Sequence, residues 1–405
     1  MAAPHGVLHG IRVLDFAWYI AGPMIGKYLS QYGAEVIHVE TVLYLDLLRQ
    51  LLFKDNQPDP DRSVAFSNYN DGKLGITLNL NHPKGVDIAR RLIAISDVVI
   101  ESFTPRAMRK WGLSYEQVRQ VKPDIIMLSS CMQGQTGPYA NSPGNGVILP
   151  ALAGMSEITG WPDRAPTGVG GPYTDFTSGP MGMAAILSAL IHRKRTGEGQ
   201  YIDLSQNEAG MHFTGTVFLE YTANGRIPTR HGNRRPGFAP HGVYPCQGDD
   251  AWCTIAVHTE AQWQALCRVM GSPAWTQETR FATRAARETH AEELDQLLGA
   301  WTVQQTAREV MQRLQAGGVP AAMVQNARDL ASDAQLQHRQ HYVTLQHPVI
   351  GANVVERLGF QLSTTPGGPE HPAPRLGQHN AYVYGTLLGM NAAEMAKLVE
   401  EEVIA

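Results

Sequence analysis

Residues 11–40, IRVLDFAWYIAGPMIGKYLSQYGAEVIHVE, decide the fold. IRVLDF (11–16) and AEVIHVE (34–40) are short β-branched runs, and the amphipathic stretch from Pro23 to Tyr32 between them predicts a strand, helix, strand unit. Downstream, GITLNL (75–80), a helical stretch from Pro83 to Ile95, DVVIES (97–102), a second helical stretch and DIIMLSS (124–130) continue the alternation. Such alternation predicts an α/β fold with a doubly wound parallel sheet. The loop after the first strand, AWYIAGP, lacks the glycine spacing of a dinucleotide fingerprint, and no G-x-x-x-x-G-K-[ST] occurs. A nicotinamide or nucleoside triphosphate enzyme is disfavoured.

Residues 133–172 are rich in Gly and Pro and predict a long irregular wall. A helix follows from Phe176 to Arg195, closed by TGEGQ (196–200), then a strand YIDLS (201–205) and a helix from Asn207 to Tyr221. The polar stretch from Ala223 to Arg235 reads as a crossing into a smaller α/β domain. That domain starts near Phe238 and carries a strand WCTIAV (252–257), helices near 259–270, 286–300 and 304–316, and a return VPAAMV (319–324). A helix at Ala327 to Asp333, two strands within 342–363 and a last helix near 391–403 complete the chain. The expected division is a large domain of 1–222 with 326–405, and a small one of 223–325.

At 405 residues the chain exceeds what one core usually supports, and 43% hydrophobic with 17% charged residues is an ordinary globular composition. Thirty-three basic against 37 acidic residues give 33 − 37 = −4, without a basic block, so nucleic acid is not an expected partner. The start MAAPHGVLHGIRVLDF has no leader pattern and no run of 18 apolar residues occurs, which predicts a cytoplasmic protein without a membrane partner. Cys131, Cys246, Cys253 and Cys267 lack C-x-x-C pairing, and the 15 histidines lack ligand spacing. Reduced buried thiols and no metal are expected.

Asp175, in GGPYTDFTSG between a glycine-rich loop and a helix, has two readings. Its carboxylate can cap the helix, or the helix N-terminus can keep it ionised as a nucleophile that flanking glycines leave accessible. The loop from Ser129 to Tyr139 follows a buried strand at its carboxyl edge, where free N–H groups could line an oxyanion site. Cys131 lacks a nucleophile signature and reads as a bystander.

Seven segments in order resemble the class III CoA-transferase family, the formyl-CoA transferase or carnitine dehydratase-like enzymes. They are GIRVLDFAWYIAGPMIGKYLSQYGAEVIHVE, NDGKLGITLNL (70–80), DVVIESFTPRAMRKWGL (97–113), CMQGQTGPYA, TGVGGPYTDFTSG, HRKRTGEGQYIDLS and APRLGQHN. The resemblance spans nearly the whole chain. It implies a Rossmann-like large domain in an interlocked, ring-shaped homodimer, with assembly alongside a paralogous subunit as the alternative. No cofactor is permanently bound, and coenzyme A is both substrate and covalent intermediate.

The family's nucleophilic aspartate falls on Asp175, which would pass through a mixed anhydride and an aspartyl-CoA thioester. The resemblance places Tyr19, Ile20 and Ala21 beside the pantetheine, Lys73, Ser102 and Phe103 along CoA, and Lys110 near the phosphates. Thr41 stands where many members have arginine, Ser102 for asparagine and Arg106 for glycine, with Arg49 as a substitute cation. Cover over Asp175 is expected from the loop of Gln133, Gln135 and Tyr139 and from 231–242, where RHGNRRPGFAPHG replaces the usual glycine run. The wording is most similar to members moving CoA from succinyl-CoA to malate, so the expected partners are acyl-CoA and small dicarboxylic acids such as malate or citramalate. Arg234, Arg235 or His241 would meet the distal carboxylate. An intramolecular mesaconyl-CoA type transferase is the neighbouring reading, and a silent acyl-CoA binding subunit a third. An α-methylacyl-CoA racemase would need a histidine-aspartate pair where Asn145 and Gly146 stand.

Overall fold

Strands β1 (Arg12–Asp15), β2 (Glu35–Glu40), β3 (Leu74–Thr77), β4 (Val98–Glu101) and β5 (Ile126–Cys131) are buried along nearly their whole length in the computed structural model, which describes residues 6–405. Strands covered on both faces have no solvent side to mark with polar residues, hence their continuous apolar wording. With β6 (Tyr201–Ser205) they form one parallel sheet of order β3-β2-β1-β4-β5-β6. That is the strand order of doubly wound dinucleotide-binding sheets.

Alternate strand residues feed two cores. Leu14, Ile37, Ile76, Val99 and Met127 pack with Ile88 and Leu92 of the helix Pro83–Ala94. Val13, Val36, Val98 and Ile126 pack on the other face with Ile25 and Leu29 of the helix Ala21–Gln31 and Ile186 of the helix Tyr173–Thr196. Each such side chain contributes roughly 1.5–3 kcal/mol by leaving water. The open edge of β3 is closed by the APRLGQHN segment: His379 Nδ1 accepts from Gly75 N at 3.0 Å and Asn380 Oδ1 from Thr77 N at 3.0 Å.

The sheet's unit also takes in residues 168–227 and 334–405, and a second compact unit comprises 157–167 and 228–333. Residues 157–167, read from sequence as part of the large domain, join the second unit because Arg230 Nη1 bonds Glu157 O at 2.9 Å and Gly232 N bonds Gly160 O at 2.9 Å. In that unit β7 (His241–Pro245), β8 (Trp252–Ala256) and β9 (Ala321–Met323) form an antiparallel sheet. The helices Glu260–Val269, Ala291–Thr302 and Ala307–Ala316 cover it through Trp263, Leu266, Leu294, Leu298, Val310 and Leu314. Capping boxes at Thr259/Gln262 and Thr306/Glu309 start two of them.

The structure departs from the sequence reading at three places. Residues 41–73, where the sequence marks no element between AEVIHVE and GITLNL, hold tight turns and a helix Val64–Tyr69 capped by Ser63, too short to show a period in sequence. The helix expected over 207–221 is broken into Gln206–Met211 and Gly215–Asn224, with the Thr214 hydroxyl bonding Ala153 O at 2.9 Å and Met211 O at 3.0 Å between them. Strand β7, for which the sequence offers no expectation, ends in Pro245, which is tolerated because β7 is an edge strand. The strands expected within 342–363 are β10 (Tyr342–His347) and β11 (Gly351–Glu356), an antiparallel hairpin. Among the described residues no helix is long and apolar enough to cross a membrane.

Candidate active site

The chain leaves β1 toward β2 and later crosses to β4 on the other side of β1, so the order of the sheet reverses between β1 and β4. Ligands of doubly wound sheets bind in the crevice beyond the strands at this point. Trp18 N donates to Ser102 Oγ at 2.9 Å, and that hydroxyl donates back to Trp18 O at 3.2 Å. The two lips, Tyr19, Ile20 and Ala21 on one side and Ser102 and Phe103 on the other, are thereby brought together. Phe103 packs edge-on against Trp18 (5.8 Å) and Trp111 (5.3 Å). With Tyr44, Asn79 and Asn81 these rings line a mainly apolar cavity of about 220 Å³. Arg106 and Lys110 are exposed on the helix Pro105–Lys110, which begins just past Phe103, with Arg106 Nε donating to Asn141 Oδ1 at 3.1 Å.

Two expected ligand cations are committed elsewhere. Lys73 is 2% exposed, and its three ammonium protons go to Asp15 Oδ2 (2.7 Å), Asn70 Oδ1 (2.9 Å) and Pro23 O (2.9 Å). It has no donor left for CoA. Arg49 is buried over the Phe66 ring, forks onto Glu40 at 2.6 Å through Nε and Nη2, and bonds Asp61 and Pro374 O. It braces β2 against the 46–62 loop and does not serve as a substitute phosphate ligand.

Asp175 is the third residue of the helix Tyr173–Thr196, whose N-cap is Pro172, so the capping role expected of it falls away. Glycines let this helix lie close to Ala21–Gln31: a Cβ on Gly179 would meet Met24 at 3.3 Å, and one on Gly182 would meet Ile25 at 2.4 Å. The two helices thus pack closely side by side. Neither start has a side-chain cap, though Tyr173 N and Asp175 N donate to Gly171 O at 2.8 Å and Pro172 O at 2.9 Å. A Cβ on Gly146 would sit 2.7 Å from Asp175 Oδ1 and 2.8 Å from Oδ2. Only glycine leaves the carboxylate that clearance, and sequence reading had noted Gly146 just for the base it lacks. Asn145 turns its side chain to Val147 N at 3.0 Å. Burial raises the Asp175 carboxyl to about 7, with no cation to offset it.

The loop after β5 is pinned. Gly134 and Gly137 take φ of 80° and 90°, Gln135 N donates to both Asp203 oxygens (2.9 and 3.0 Å), and Gln133 Oε1 accepts from Asn207 Nδ2 at 3.1 Å. Tyr139 is exposed. Cys131 is buried and its thiol is pushed up to about 12, chiefly by burial, as a bystander's would be. In the second unit Arg234 pairs with Asp295 at 2.9 Å, Arg235 lies 4.9 Å over the Phe238 ring, and His241 Nδ1 is 3.1 Å from Asn233 O. The three line a cavity of about 680 Å³ within that unit. Among the described residues no cluster of His, Cys, Asp and Glu is placed to hold a metal ion.

Comparison with known proteins identifies the family. The profile of CoA-transferase family III matches residues 8–380. The succinyl-CoA–D-citramalate CoA-transferase of Chloroflexus aurantiacus is 34% identical over 401 residues, covering 99% of both chains. The succinyl-CoA–L-malate CoA-transferase beta subunit of the same organism is 32% identical, covering 98% of both. The crystal structure of a CAIB/BAIF family protein from Brucella suis superposes with a TM-score of 0.87 at 31% identity, covering 95% of this chain and 100% of that one. With a matched profile and near-complete coverage, the chain belongs to CoA-transferase family III.

Proposed function

We propose that Asp175 is the nucleophile through which this CoA-transferase carries CoA from succinyl-CoA to a small dicarboxylic acid, malate or citramalate. The observation that carries this reading is a buried carboxylate without a countercharge, open toward the Cβ-free Gly146 at a helix start. A desolvated carboxylate is a stronger nucleophile than a hydrated one, and the positive end of the helix that carries Asp175 suits the negative charge of the adjoining intermediates.

The steps balance without a metal or an external base. A carboxylate oxygen of Asp175 attacks the thioester carbonyl, the C–S bond breaks, and CoA thiolate leaves a succinyl-aspartyl anhydride. The thiolate attacks the Asp175 carboxyl carbon, expelling succinate and forming the aspartyl-CoA thioester. The acceptor carboxylate then displaces the thiolate to give a second anhydride. The thiolate finally attacks the acceptor's carbonyl, and Asp175 returns as a free carboxylate. Water must stay out, in keeping with 8% exposure of Asp175.

In this reading the adenine enters the cavity lined by Trp18, Phe103 and Trp111, the pantetheine follows Tyr19, Ile20 and Ala21 past Ser102, and Arg106 and Lys110 meet the phosphates. Gln133, Gln135 and Tyr139 border the acyl group. Of the cations read from sequence for a distal carboxylate, Arg234 is already held by Asp295, whereas among the described residues Arg235 has no carboxylate partner. The donor and acceptors follow the relatives' names. A homodimer, interlocked as the family resemblance implies, or a pairing with a paralogous chain, accounts for the helix Gly215–Asn224. None of its residues is buried, and Phe218, Leu219 and Tyr221 face solvent, which a helix that short does not sustain alone.

Incubation with succinyl-CoA, trapping with hydroxylamine and peptide mass spectrometry test the nucleophile. The adduct is expected on Asp175; its absence there, or transfer by Asp175→Ala, would overturn the assignment.

A further inference from the structure

The lip that presents Tyr19 is held in an unusual shape. Tyr19 has φ of 67°, in the left-handed region that bulky residues avoid, while the residue is 55% exposed. Packing of the side chain therefore does not force the backbone. What holds it is a hydrogen bond: Tyr19 N donates to the Asp46 carboxylate, 3.1 Å from Oδ2 and 3.4 Å from Oδ1. Trp18, one residue before, is fixed on both its N–H and C=O by Ser102.

Asp46 itself is 1% exposed. Its other partner is Leu48 N at 2.9 Å, where it caps the short turn Leu47–Gln50. Burial raises its carboxyl to about 6 against the pull of Leu48 N, His38 and Tyr19 N, with Glu40 adding to the rise. A serine would cap the turn at a lower desolvation cost, so the carboxylate's second bond, to Tyr19, is the one that needs explaining. Backbone strain kept at a ligand crevice by a dedicated partner is a mark of preorganisation.

We propose that Asp46 is a positioning residue for the CoA ester, holding Tyr19 in its left-handed conformation so that Tyr19–Ala21 meets the ligand as a fixed surface. This rests on the reading above that CoA runs along that lip. Fixing the loop beforehand spares the ligand the cost of ordering it, so the effect belongs to binding more than to turnover.

Asp46→Ser tests it, because a hydroxyl still caps Leu48 N but is too short to reach Tyr19 N as well. The variant is expected to melt close to the native protein, to raise KM for succinyl-CoA about tenfold and to change kcat less than about threefold. Tyr19→Gly adopts positive φ without strain, so in that background the same substitution should raise KM less than about twofold. Should Asp46→Ser not fold, Asp46→Asn, which keeps one acceptor oxygen, is expected to raise KM by a smaller factor, again suppressed by Tyr19→Gly. An unchanged KM in a folded Asp46 variant, or an equal rise in both backgrounds, would overturn the proposal. Calorimetry of succinyl-CoA with Asp175→Ala separates the two readings. If Tyr19→Gly weakens binding and the Asp46 variants do not, only the role of Asp46 falls. If neither substitution touches binding, the placement of CoA on this lip falls first, and the proposal with it.

Discussion

Asp15 and Asp175 are both buried aspartates of the same α/β unit, and they have opposite surroundings. Asp15, at the end of β1, is fully buried between Lys73 Nζ at 2.7 Å and His38 Nδ1 at 3.3 Å. Burial alone would raise its carboxyl, but Lys73 and His38 outweigh it and hold it below the usual carboxylate range. Asp175 is nearly as enclosed, has no such neighbours, and stands at about 7. Burial alone does not tell a structural carboxylate from one proposed to react. A carboxylate that lattices itself to an ammonium has its lone pairs occupied, whereas one that burial leaves unsatisfied keeps them for a substrate.

Removing each carboxylate breaks the comparison most directly. Asp175→Ala is expected to lower transferase turnover on the order of 10⁴-fold with the fold intact, measured by steady-state rates and circular dichroism. Asp15→Asn leaves Lys73 without its countercharge and should cost about 3–5 kcal/mol in denaturant unfolding. Asp175→Asn should do the reverse. The folded-state carboxyl lies above its unfolded value near 4, so the native protein loses stability as pH rises from about 4 to about 7, and the amide escapes that loss. At pH 8 the gain has a ceiling of about 4 kcal/mol, reduced by partial access of water and the helix N–H groups, and it should vanish near pH 4 in paired thermal melts.

Smaller effects sharpen the contrast. Gly146→Ala puts a methyl 2.7 Å from Asp175 Oδ1 and should lower kcat about 100-fold, since misplacing the reacting atoms by an ångström is enough. The rate of aspartyl adduct formation should fall about tenfold per pH unit below a midpoint near 7, as only the ionised carboxylate attacks; a flat profile from pH 5 to 8 would contradict this.

The sheet was legible because β1, β2, β4 and β5 are covered on both faces, so continuous apolar runs and intervening amphipathic stretches mark them one by one. Residues 41–73 were not, being short turns held by side chains such as Ser63, whose hydroxyl caps Val64–Tyr69. Asp175 stood out through its glycine flanks and the family resemblance. The cations were the weak point. A lysine or arginine in a sequence carries no sign of its burial, and the groups that absorb Lys73 and Arg49 include Asp15, 58 residues away, and Glu40 on the neighbouring strand. Asp46 offered no signal, since its role depends on the φ of a residue in another loop.

All four cysteines are unpaired and buried, and burial raises each thiol. A maleimide or disulfide reagent offered to the native enzyme should therefore find almost no protein sulfur to label. Any rapid thiol signal that appears when an acyl-CoA is added would come from the sulfhydryl of coenzyme A released into solution. The chain is thus built as a silent background for its own leakage assay, in which coloured product counts the turnovers that water, and not an acceptor acid, brings to an end.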